Sequence, residues 1–196
     1  MGAKFAGRTI LLAGAKEGVE GCPRPSSRIL HAYHEAGHAV AAAALEVPFN
    51  YVTIVREGSV FGHVSLAPDP LSYRGMFRRL VIVAAGGRAV EILTAGRSTT
   101  SHEDAGSVRY WDGGTSGDRR ESVRLIGKIA AENDIEFALG TNIDFLLGVY
   151  SLQVEAAESL VCWHWPAVIR VAEALLAEKT LTEAGVHELL GPVPIS

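Results

Sequence analysis

Ile29-Leu30-His31-Ala32-Tyr33-His34-Glu35-Ala36-Gly37-His38-Ala39-Val40-Ala41-Ala42-Ala43-Ala44-Leu45 is the stretch on which the reading of this chain turns. Its apolar positions Ile29, Leu30, Tyr33, Ala36, Gly37, Val40, Ala41 and Ala44 recur at helical spacing. Ser26 or Ser27 ahead of them offers an N-cap oxygen, and Pro48 ends the run. Inside this helix stands the pattern His34-Glu35-x-x-His38. Residues four apart share a helix face, so His34 and His38 can turn two imidazoles toward one metal ion. Glu35 falls beside them, where a carboxylate can accept a proton from metal-activated water. The plain alternative is a pair of unrelated histidines on a solvated face.

Outward from this helix, Tyr51 to Val55 and Phe61 to Ala67 are β-rich runs flanking Arg56-Glu57-Gly58-Ser59, which reads as a hairpin or two neighbouring strands. Pro68-Asp69-Pro70 is a break, and Tyr73 to Thr94 reads as a second long helix. Gly86-Gly87 weakens that helix, so the pair predicts close backbone packing against another element. Arg97 to Gly117 is a Ser-, Thr-, Gly- and Asp-rich loop, followed by helical periodicity from Asp118 to Asn133. Ile143 to Trp165, Pro166 to Lys179 and Thr182 to Leu190 read as three closing helices, with Trp163 and Trp165 packed among them. Residues 1–26, rich in Gly and Pro, read as a flexible arm, and 27–191 as one domain whose C-terminal part, about 142–191, is helical. The fold class is mainly α, with a small β-hairpin or sheet between the first two long helices.

The 196 residues are 48% hydrophobic and 20% charged, enough for one globular core. A formal net charge of −4 provides no basic field for nucleic acid or an anionic membrane. Two cysteines, Cys22 and Cys162, are too few for a disulfide framework and form no C-x-x-C pair. No apolar run approaches the roughly 20 residues of a membrane span. The chain therefore reads as soluble and cytoplasmic.

A catalytic zinc takes three protein ligands and leaves a position open. The extended H-E-x-x-H-x-x-G-x-x-H pattern would need histidine at position 44, which is Ala44. The third ligand must then be an acidic residue from a later element: Glu91, Glu103, Asp104, Asp112 or Asp118. Asp118 is favoured because it opens an amphipathic helix that would fix its position, although an aspartate there is also an ordinary N-cap. Glu91 could instead orient a ligand histidine from behind. His31, one turn before His34, reads as a structural neighbour, and His63, His102, His164 and His187 as solvated or core-edge residues.

Ala32-Tyr33-His34-Glu35-Ala36-Gly37-His38-Ala39-Val40 resembles the zinc peptidase domain of the FtsH-type ATP-dependent proteases. Val52-Thr53-Ile54 with Gly62, Gly86-Gly87-Arg88-Ala89-Val90-Glu91, Thr115-Ser116-Gly117-Asp118, and Ala172-Glu173-Ala174-Leu175-Leu176 with Thr180-Leu181-Thr182 are similar to later segments of that domain, in the same order, over roughly residues 27 to 190. The resemblance implies a Zn2+ metallopeptidase acting on unfolded or flexible polypeptide, with His34, His38 and Asp118 on the metal and Glu35 as general base. It also implies that the strand Phe61 to Leu66 receives substrate by edge pairing. The family's tandem acidic pair is reduced here to Glu91-Ile92, and the stretch before Asp118 is long, so Asp104 lies nearer the family spacing. No G-x-x-x-x-G-K-[ST] phosphate loop occurs, so a separate ATPase or a homo-oligomer is the expected partner. The rival reading is a non-catalytic metal-binding module, against which retention of Glu35 argues.

Overall fold

The computed structural model describes residues 25–56, 58, 62–67, 72–95, 115–132 and 143–191. Residues 1–24 of the expected arm, the turn tip around Ser59, the Pro68–Pro70 break and residues 97–114 of the expected loop lie outside the described residues. Six helices and one three-stranded antiparallel sheet make up the described chain, in agreement with the mainly α expectation.

Helix α1 (Ser27–Ala44) is capped by the Ser26 side chain, which accepts from the Ile29 amide, and ends at Leu45. Its alanines at 32, 36, 39, 41 and 42 are fully buried, which lets neighbouring helices approach closely. Strand β1 (Phe49–Thr53) pairs antiparallel with β2 (His63–Leu66), in a register that opposes Val52 to Val64 and Thr53 to His63. Helix α2 (Tyr73–Ala95) packs along α1. Helix α3 (Thr115–Glu132) packs on α2, followed by α4 (Ile143–Trp163) and α5 (Trp165–Glu178).

The chain then forms β3 (Thr180–Thr182), which pairs antiparallel with β1 and makes β1 the central strand in the order β2-β1-β3. This third strand is absent from the sequence reading: three residues, two of them threonine, carry too little pattern to register as a strand. Thr182 caps the last helix, α6 (Glu183–Leu190), by accepting from the Gly185 amide.

Two boundaries move in ways that matter. The expected loop to Gly117 is shorter, because α3 begins at Thr115 and places Asp118 inside its first turn rather than at its N-cap. The hairpin strands are also offset, with β1 starting at Phe49 and β2 spanning only His63–Leu66.

The main core joins α1, α2, α4, α5 and the sheet through Val40, Val52, Ile82, Val161, Val168, Val171 and Leu175. A second cluster, Met76, Leu80, Leu125, Ile126, Ile129 and Val149, ties α3 to α2 and α4. That cluster fixes α3, and with it Asp118, against the first half of the domain. Trp165 lies with its ring 5.8 Å from Tyr33 of α1, whereas Trp163 is 56% exposed and is not packed between the closing helices as expected.

Candidate metal centre

His34 and His38 project from the same face of α1 and are buried, at 3% and 7% exposure. Their Nε2 atoms stand 3.1 Å apart with the rings nearly perpendicular. Asp118, carried by the first turn of α3, points one carboxylate oxygen at both: Oδ2 is 3.0 Å from His34 Nε2 and 3.4 Å from His38 Nε2. The three donor atoms all lie within 4.8 Å of one another. The His34-x-x-x-His38 spacing and the preference for Asp118 thus fall on residues that the fold brings together.

The orientation of His38 is set from behind. Its Nδ1–H donates to the carbonyl oxygen of Ile82 on α2 at 2.7 Å, which leaves Nε2 as the nitrogen facing Asp118. Such a backbone partner cannot be read from side-chain identities. Glu91 does not fill that role: it is exposed and bonded to Arg88, which also reaches Glu158 of α4 at 4.0 Å. His31 Nδ1 donates to the Ser27 carbonyl, as befits a neighbour within the helix. His63 meets the Tyr51 hydroxyl, and His187 lies 3.9 Å from Glu183. Glu103, Asp104, Asp112 and His102 lie outside the described residues.

Glu35 is 5% exposed, and its Oε2 has no hydrogen-bond partner among the described residues. Gly62, at φ +149°, brings bare backbone against the carboxylate; a Cβ there would stand 3.0 Å from Oε1. This contact explains the glycine, since a side chain would press on both Glu35 and the Thr53 carbonyl.

The charges are tightly coupled. Burial lifts the Glu35 carboxyl to about 7. Burial works to lower His38, but the charge and hydrogen bond of Asp118, with help from Glu35, raise it to about 9. Burial and the charge of His38 lower His34. Burial works to raise Asp118, yet His38's charge and hydrogen bonds from both imidazoles hold it well below the usual carboxylate range. The protein groups alone thus gather positive charge among two carboxylates. Two imidazole nitrogens and a carboxylate oxygen form a donor set that fits zinc, and a cation there would replace the proton that otherwise holds the three together.

Residues 23–108 match the model of Peptidase family M41. The chain is 37% identical over 91 residues to the ATP-dependent zinc metalloprotease FtsH of Neorickettsia risticii, covering 44% of this chain and 14% of that protein. It is 29% identical over 173 residues to the ATP-dependent zinc metalloprotease YME1L1 of Rattus norvegicus, covering 79% and 23%. It is 30% identical over 185 residues to FtsH 4 of Sphaerobacter thermophilus, covering 84% and 28%. The family match ends before Asp118, but alignments as long as the last two include Asp118 wherever they begin. The chain spans 14% to 28% of the length of these three relatives.

Proposed function

From a chain that carries an FtsH-type peptidase domain, we propose a zinc-dependent metalloendopeptidase that cleaves unfolded or flexible polypeptide segments. One observation carries this reading: three converging donor atoms, from His34, His38 and Asp118, stand beside a buried glutamate with an unpartnered oxygen. The two histidines and the aspartate hold the metal. When bound, zinc supplies a positive charge that acidifies water and polarises an amide carbonyl.

The chain's own residues do the rest. Glu35, raised to about 7 by its burial, accepts the proton of the attacking water and passes it to the departing amine. Its free Oε2 is the atom available for that proton. Ile82 holds His38 in one tautomer through its carbonyl, so the ligand nitrogen keeps its lone pair. Strand β2 has β1 on one side only among the described residues, and it begins immediately after the glycine that touches Glu35. An extended peptide added to that edge would run past Glu35 and be fixed by backbone hydrogen bonds, which ask little of its sequence. A folded protein offers such a segment only at a flexible loop or terminus. The ATP dependence of the relatives therefore supports an ATPase, or an assembly that includes one, as the supplier of unfolded chain.

The test pairs zinc analysis with cleavage of a permanently unfolded protein by wild type and Glu35→Gln. Both should hold one zinc, and wild type should cut about 100-fold to 10,000-fold faster, the usual range for a general base. Equal rates at equal zinc content would leave a metal-binding module without peptidase activity.

A further inference from the structure

The geometry points to Gly86 of α2 as a positioning residue for the metal centre: it keeps open the space in which the His38 imidazole lies. A Cβ built at Gly86 would stand 2.5 Å from His38 Nε2 and 2.9 Å from Nδ1, far inside any real carbon contact. It would press on the ring edge that carries the nitrogen facing His34 and Asp118. Ile82 and Gly86 are one turn apart on α2 and so share a face. The imidazole lies across that turn, with Nδ1 on the carbonyl of the first residue and its ring against the bare Cα of the second. Both helices are held by buried contacts, Gly37 against Ala85 and Ala89 among them, so parting them to admit a side chain is opposed by the packing of the core. The ring itself would have to turn, losing either the Ile82 carbonyl or its alignment with Asp118.

The neighbouring glycine gives the contrast. A Cβ at Gly87 meets nothing within 4 Å, so of the two adjacent glycines only Gly86 is required by the site. The inference rests on the reading of His38 as a metal ligand, and it extends that reading to a residue that offers the metal no donor atom.

The test compares Gly86→Ala with Gly87→Ala, reading zinc affinity by competition with a chromophoric chelator and the visible absorption of the Co2+-substituted protein. Gly86→Ala should bind zinc about 100-fold more weakly, as expected for a disturbed supporting contact, with an altered Co2+ spectrum. Gly87→Ala should match wild type in both. Thermal unfolding of the metal-free protein keeps the inference testable if Gly86→Ala folds poorly. The substitution should lower the melting temperature in the wild-type background but not in His38→Ala, where the obstructing ring is gone and alanine is the better helix former. Unchanged zinc affinity in Gly86→Ala, equal losses in the two glycine variants, or an equal thermal penalty with and without His38 would each overturn it. Zinc affinity unchanged in His38→Ala would instead overturn the ligand reading on which it rests.

Discussion

At Glu35 the chain keeps a carboxylate in a place where a carboxylate is costly, buried and with one oxygen unpartnered. Function and stability should therefore oppose each other at this position. Folding raises the carboxyl from 4.5 to about 7, so the folded chain holds a proton that the unfolded chain has released. Wild-type stability must then fall as pH rises through that window, and Gln, which does not titrate, escapes the fall. In chelator-treated protein, Glu35→Gln should match wild type near pH 4.5 and exceed it above pH 7 by at most about 3 kcal/mol, read as the gap between urea midpoints. A gap that shrank with rising pH would contradict this. Asp118 makes a different prediction: Asp118→Ala should weaken zinc binding at least about 100-fold, with Asp104→Ala near wild type in the same competition assay. The reverse order would move the third ligand to Asp104. The histidine pair was legible from spacing alone because a helix fixes what lies four residues away. The carboxylate was only a preference, Asp118 among five candidates, because tertiary packing decides which distant helix arrives. Gly62 and Ile82 were not legible, since what they contribute to the site is backbone.

Between elements, the decisive contact is α1 against α2. Gly37 lies where a Cβ would stand 2.6 Å from the Ala85 carbonyl oxygen and 2.8 Å from Ala89 Cβ. Gly37→Ala should force the helices apart and cost about 1–3 kcal/mol, as overpacked cores do, in equilibrium unfolding of the metal-free protein. An unchanged midpoint would show that the two helices can separate freely. The sequence reading foresaw close backbone packing at Gly86-Gly87, and Gly86 supplies it while Gly87 does not. Long periodic helices were found nearly residue for residue, Tyr73–Ala95 against an expected Tyr73 to Thr94. Short elements fared worse: β3 has three residues, too few for its alternation to register, and its existence depends on β1 being there to pair with. Asp118 was placed at a helix start, but the helix extends three residues further back, through Thr115-Ser116-Gly117, which read as loop because those residues favour turns.

Across the whole molecule, the donor set joins α1 near one end of the domain to α3 well along the chain. A metal that binds only this folded arrangement must stabilise all of it. Saturating zinc should raise the unfolding free energy by about 4 kcal/mol at a thousandfold excess over the dissociation constant, and a chelator should reverse the gain. No melting shift on zinc addition would mean that the site is not formed as described. No single described helix is long and apolar enough to cross a membrane. Whether His34, His38 and Asp118 together hold the zinc is read from X-ray absorption at the zinc edge of the stoichiometrically loaded protein. Two imidazoles and carboxylate or water oxygen are expected at about 2.0–2.1 Å, with one imidazole lost in His38→Ala. A sulfur shell near 2.3 Å, or a spectrum that His38→Ala leaves unchanged, would contradict it.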